Sequence, residues 1–181
     1  MGLTSILNTA FGAKLRKDLS NFLLHDGVGP NGKTMDMVMA MPDNELMQDL
    51  YIGWLFPTDE ASDSKLIPYV EKDSELVGYS RREAQKSLVR SYDRVLLCYH
   101  LTYNKEQGCI FYNADYDKSV ESSGALRFLL TVQKSLIIFQ LFKEEAALRG
   151  YAIATGNEKF IAETTEIAGQ MYPKWNRQAE G

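Results

Sequence analysis

Apolar residues recur at helical spacing along most of the chain, interrupted by short polar stretches. From Leu3 to Leu24 the positions Leu3, Ile6, Leu7, Ala10, Phe11, Leu15, Leu19, Phe22 and Leu23 share one face, the period of an amphipathic helix. Gly12 is placed to bend it. Only three cations line its polar face, so it reads as a core helix rather than a membrane-surface one. A second apolar series, Leu46, Met47, Leu50, Tyr51, Trp54 and Leu55, predicts a helix from Pro42 to Phe56. Pro42 suits a first turn, and Pro57 disfavours the α conformation at Phe56. The end of this helix is apolar on most sides, which predicts burial.

The second half reads the same way. Ser80 and Glu83 form a capping box, opening a helix that extends to about Leu101. Its buried stripe is Ala84, Leu88, Tyr92, Val95, Leu96 and Tyr99. Cys109–Tyr112 is a short apolar piece, but a lone strand has no sheet to join. A broadly apolar helix is expected over Ala125–Phe142, another from Lys143 to a stop at Gly156, and a last one over Asn157–Met171 ended by Pro173. Residues 173–181 read as a loose tail. The prediction is an all-α single domain spanning 1–181, with about six helices and at most a minor β-hairpin.

One loop carries a motif. Gly27, Gly32, Lys33 and Thr34 satisfy the phosphate-loop spacing G-x-x-x-x-G-K-T. In such a loop backbone N–H groups and the lysine grip phosphates while the threonine hydroxyl holds Mg²⁺. A working example follows a buried parallel strand and opens a long helix. Here Asn21–Leu24 reads as the tail of a helix, and the following segment is cut short by Pro42. A plain connecting loop, with Thr34 as N-cap, is therefore preferred. A nucleotide-binding enzyme using Gly27–Thr34 is the alternative.

The run Tyr51-Ile52-Gly53-Trp54-Leu55-Phe56-Pro57, with Leu50 and Asp49 before it and Asp59, Glu60 and Ser62 after it, resembles the conserved region of the opioid growth factor receptor family. Asp26 with Gly32-Lys33-Thr34, Ser91–His100, Leu126-Arg127 and Lys134–Ile138 extend the resemblance over roughly 22–142. That family carries Gln in place of Gly53 and His-Asp in place of Asp49-Leu50. Here one extra residue also separates Leu126-Arg127 from the Ser135-Leu136 run. The resemblance implies a helical domain with no agreed enzymatic activity. For its vertebrate members it implies binding of an enkephalin-type peptide and growth regulation in or near the nucleus. No position here is carried over for that ligand.

Composition narrows the classes further. Of 181 residues, 45 % are hydrophobic and 24 % charged, as in soluble globular chains, and the net charge of −4 gives no global case for nucleic-acid binding. No apolar run reaches the ~18 residues of a membrane span. Met1-Gly2 is not a myristoylation signal, because position six is Ile6. Lys14, Arg16 and Lys17 precede the first acid, Asp18, which leaves a mitochondrial leader as a minor alternative to a cytoplasmic location, or a nuclear one in a eukaryote. Cys98 and Cys109 are too few for a thiolate zinc site, and Cys98 is expected to be a packed thiol. His25 and His100 lie in separate elements, so no metal site and no cofactor are expected, and no catalytic residue is assigned. Glu144-Glu145 reads as a solvated acidic pair, and Arg81, Arg82, Lys86 and Arg90 as a solvated basic face. The expected function is a small soluble binding module for a peptide, protein or small molecule. Its ligand site is expected among Tyr51, Trp54, Tyr99, His100 and Arg127.

Overall fold

The structure, a computed structural model, describes residues 2–176, with the side chains of residues 4–9 excepted. It is mostly helical. Among the described residues there are eight α-helices and one two-stranded antiparallel sheet. The chain forms two compact units, Met1–Ser87 and Leu88–Gly181.

The first unit opens with α1, Leu3–His25, which ends where Asp26 takes a left-handed conformation (φ 55°) and donates its N–H to Asn21. Among its described side chains, only those of the last part are core. Leu19, Phe22 and Leu23 are buried, whereas Leu3 and Phe11 are exposed. Thr34 does cap the next helix, α2 (Met35–Met39), accepting from the Met37 N–H at 3.3 Å. Such a cap is worth about 1 kcal/mol.

The single helix expected over Pro42–Phe56 is two: α3, Asp43–Leu46, and α4, Asp49–Leu55. Gln48 lies between them in an extended conformation (φ −132°, ψ 151°). The break places Asp49 in the first turn of α4, where the helix dipole favours an acid. It also lets Leu46 and the run Tyr51–Phe56 be buried together. Trp54 packs edge-on against Phe22, with ring centres 5.7 Å apart at 85°, a contact worth about 1 kcal/mol beyond its area. The helix stops before Pro57 as expected, Phe56 leaving at φ −131°, ψ 70°.

Residues 58–80 are irregular but pinned. The Val70 N–H donates to Thr58 at 2.8 Å, and the Trp54 indole N–H donates to the Leu66 carbonyl at 2.9 Å. A 3-10 turn over Glu75–Val77 buries Leu76 and Val77. Helix α5, Arg81–Cys98, begins in the first unit and ends in the second. All six residues of its expected stripe, Ala84 to Tyr99, are buried.

In the second unit the chain departs from expectation directly after α5. Leu101–Asn104 is strand β1 rather than helix tail, and it pairs antiparallel with β2, Cys109–Tyr112, in the register Leu101↔Tyr112. The supposedly lone strand therefore has a partner. Leu101 and Tyr103 alternate inward while Thr102 faces out, a period that a helix cannot supply.

Helix α6 covers Ser123–Ile138, shorter than expected. Gln140 adopts φ 61°, and the Leu141 N–H returns to the Leu136 carbonyl at 2.8 Å. This Schellman closure satisfies the helix-end carbonyls before Phe142. Helix α7, Phe142–Thr155, stops at Gly156 (φ 68°) as predicted. Helix α8, Glu158–Trp175, is capped by Asn157 and runs through Pro173 instead of ending there. The reason is Trp175, which is fully buried and whose carbonyl accepts from the Gln140 side chain at 3.1 Å. The expected loose tail thus begins no earlier than Asn176, and its last residues, 177–181, lie outside those described.

The Glu144-Glu145 pair is likewise not solvated. Both residues are buried, Glu145 completely. The Glu145 carboxylate accepts from Arg149 Nε (2.7 Å), from Gln133 Nε2 (2.9 Å) and from the Tyr172 hydroxyl. Buried charge survives when paired and hydrogen-bonded in this way.

Candidate functional site

An open apolar concavity in the first unit is built from α1 and the pinned loop. Two hollows share Phe11 and Leu15, one helical turn apart on α1. The larger, about 230 Å³, is closed by Ile67, Pro68 and Tyr69 from the loop. The smaller, about 180 Å³, is floored by Trp54 and Pro30 and flanked by Leu66. Phe11 and Leu66 stand 43 % and 55 % exposed around them. Apolar side chains left open beside a concave apolar surface are characteristic of recognition sites.

Local sequence sets the width of this groove. An ideal Cβ at Gly53 would lie 2.5 Å from Ile67 Cγ2, and one at Gly29 would lie 2.9 Å from Trp54 Cε3. Each glycine therefore admits a neighbouring groove side chain where any larger residue would displace it. The lack of a side chain at position 53 is thereby tied to how closely Ile67 approaches α4.

The expected ligand residues divide between the units. In the first, Trp54 is buried as part of the groove floor. Tyr51 is buried beside it, its hydroxyl accepting from Asn31 Nδ2 at 3.0 Å, and Asn31 lines the smaller hollow. In the second, Tyr99 is buried and donates to the Ala125 carbonyl at 2.5 Å; burial holds its pKa well above the ordinary tyrosine value. His100 follows α5 in a left-handed conformation (φ 57°), and its Nδ1–H donates to Asp115 at 2.8 Å. Arg127 lies over the Phe128 ring at 4.4 Å and borders a hollow of about 120 Å³ with Asn157, Lys159 and Glu163.

Nearby, Tyr112 and Tyr116 stack with ring centres 4.3 Å apart. The Tyr116 hydroxyl donates to Glu121 and lies 3.2 Å from that of Tyr151. Burial raises Tyr151 to about 12. These hydroxyls are partnered within the protein. Cys98 is half-buried rather than packed in an apolar environment, with Arg94 Nη1 3.1 Å from its sulfur.

The Gly27–Thr34 segment follows a helix and precedes one of only five residues. Its amides have partners of their own: Gly27 donates to Asn21 (2.9 Å), Gly29 to Lys33 (2.8 Å), Gly32 to Gly29 (3.2 Å) and Lys33 to Pro30 (3.0 Å). The Thr34 hydroxyl accepts from Met37. Among the described residues, no group of three or more His, Cys, Asp or Glu side chains converges as a metal site, and no helix is long and apolar enough to cross a membrane.

The groove residues Phe11, Leu15, Leu66, Ile67 and Tyr69 are absent from the sequence-based ligand set. The available signal was Leu66-Ile67-Pro68-Tyr69-Val70, an apolar run that proline keeps out of regular structure. No protein-family model, curated protein or solved structure matches the chain.

Proposed function

We propose that the chain is a non-enzymatic binding module that seats a bulky apolar side chain of a peptide in the groove beside Trp54. The observation carrying this reading is the pair of open apolar hollows sharing Phe11 and Leu15, with Phe11 and Leu66 exposed over a buried Trp54 floor. A rigid aromatic floor costs little conformational entropy on binding, so an inserted Leu, Phe or Trp retains most of its transfer free energy. The resemblance around Tyr51–Pro57 falls on the same element. The amides of Gly27, Gly29, Gly32 and Lys33 already have acceptors within the loop and the end of α1, which weighs against the phosphate-binding alternative.

The test pans randomised short peptides displayed on phage against the whole chain and maps a selected peptide by amide chemical-shift changes. Shifts at Phe11, Leu15, Ile67 and Tyr69, and loss of binding in Leu15→Asp, are expected. Phe11→Ser, at an exposed position that lines both hollows, is expected to keep the fold intact and still lose affinity, which separates loss of the site from unfolding. Failure to enrich any apolar-anchored peptide, or shifts confined to the tyrosine cluster of the second unit, overturns the reading.

A further inference from the structure

We infer that the groove selects an acidic peptide, one with a carboxylate next to its apolar anchor; the inference rests on the binding-module reading above. The charges lining the larger hollow are Arg16 and Lys65, both positive. No carboxylate lines it. The one acid on the neighbouring hollow, Asp18, is already engaged by Lys14 at 2.9 Å. Among the described residues, neither Arg16 nor Lys65 has a carboxylate partner. The acids of the same loop, Asp59, Glu60 and Asp63, do not line the hollow.

This positive face belongs to a chain whose net charge is −4. An anionic ligand is therefore repelled by the chain as a whole and attracted at this groove, which favours selectivity and a salt-dependent on-rate. The geometry also prepares Arg16 for the task. Its guanidinium carbon lies 5.8 Å from the centre of the Tyr69 ring, which limits the rotamers it loses when it meets a carboxylate. A planar guanidinium can then donate two parallel hydrogen bonds to a Glu or Asp side chain. Phe11, Leu15 and Ile67 meanwhile enclose the apolar anchor. The hollow is an open cleft, shaped for one or two side chains rather than for a long acyl chain.

The decisive experiment repeats the peptide selection on the wild-type chain and on the Arg16→Gln/Lys65→Gln double variant. Wild type should enrich peptides with Asp or Glu beside a bulky apolar residue. A selected peptide should bind about tenfold more tightly than its Glu→Gln counterpart. That preference should shrink with added salt and vanish in the double variant. Equal binding of the two peptides, or a preference that persists in the double variant, overturns the acidic selectivity while leaving the module intact. Displacement of the peptide by oleate at equal concentration would reassign the site to anionic lipids. If no apolar-anchored peptide is selected at all, it is the module reading that fails.

Discussion

The two units treat polarity in opposite ways. The first buries an almost purely apolar set, Phe22, Trp54, Phe56 and Leu55, yet leaves Phe11 and Leu66 open around a groove. The second buries charge and then satisfies it: Glu145 is fully enclosed and holds Arg149, Gln133 and Tyr172. Buried polar networks fix one arrangement, because an unpaired member costs far more than a displaced methyl group. Apolar surface left uncovered is instead available to a ligand.

The largest expected effect comes from breaking the network. Glu145→Ala removes the carboxylate acceptor of the Arg149 guanidinium, the Tyr172 hydroxyl and one N–H of the Gln133 amide, which keeps its bond to the Thr164 carbonyl, and should cost about 3 kcal/mol in urea denaturation. The estimate sits at the low end of the range for buried pairs because Arg149 remains 38 % exposed and water can solvate it. A loss below about 0.5 kcal/mol would mean that the network contributes nothing to the second unit.

A middle-sized effect is expected in alkali. Burial, with the hydrogen bond to Glu145, raises Tyr172 to about 12, and burial raises Tyr151 to about 12. The unfolded chain titrates these groups near 10. The folded state therefore binds the extra protons, so their contribution is complete below pH 10 and is lost as pH climbs towards 12. Tyrosinate absorbance followed alongside circular dichroism, with the Tyr172→Phe trace subtracted, should show the ionisation of Tyr172 arriving together with unfolding. Tyr172→Phe should flatten the decline over that interval. If the absorbance step that Tyr172→Phe removes came near 10 in a chain that stays folded, the shielding of Tyr172 would be contradicted.

The smallest effect is expected at the phosphate-loop match. Lys33→Ala should leave ATP and GTP binding at the same undetectable level as wild type in equilibrium dialysis. Measurable nucleotide binding that the substitution abolishes would return the Gly27–Thr34 segment to consideration as a functional site.

What could be read from the chain follows the range of the forces involved. The Thr34 cap, the Ala84–Tyr99 stripe, the stop at Gly156 and the helix end before Pro57 each depend on a few neighbouring residues, and all appear where local chemistry puts them. The extended Gln48, the Gln140 turn and the continuation of α8 through Pro173 are imposed by distant burial, of Leu46 and Trp175 among others. Strand β1 was hidden because Leu101-Thr102-Tyr103 also extends a helical count by one turn. Of the expected site residues, Trp54 floors the groove and Tyr51 adjoins it. The walls escaped notice because α1 and residues 66–69 meet only in three dimensions.

Position 53 carries a consequence for inheritance. One missing methyl group there sets how far Ile67 settles onto α4. A single-codon change to alanine would push that isoleucine, itself a wall of the larger hollow, outward and reshape the recess while leaving the identity of every lining residue unchanged. Under the proposed binding role, divergence in what such a chain captures would originate behind the groove, at a residue that does not itself line it.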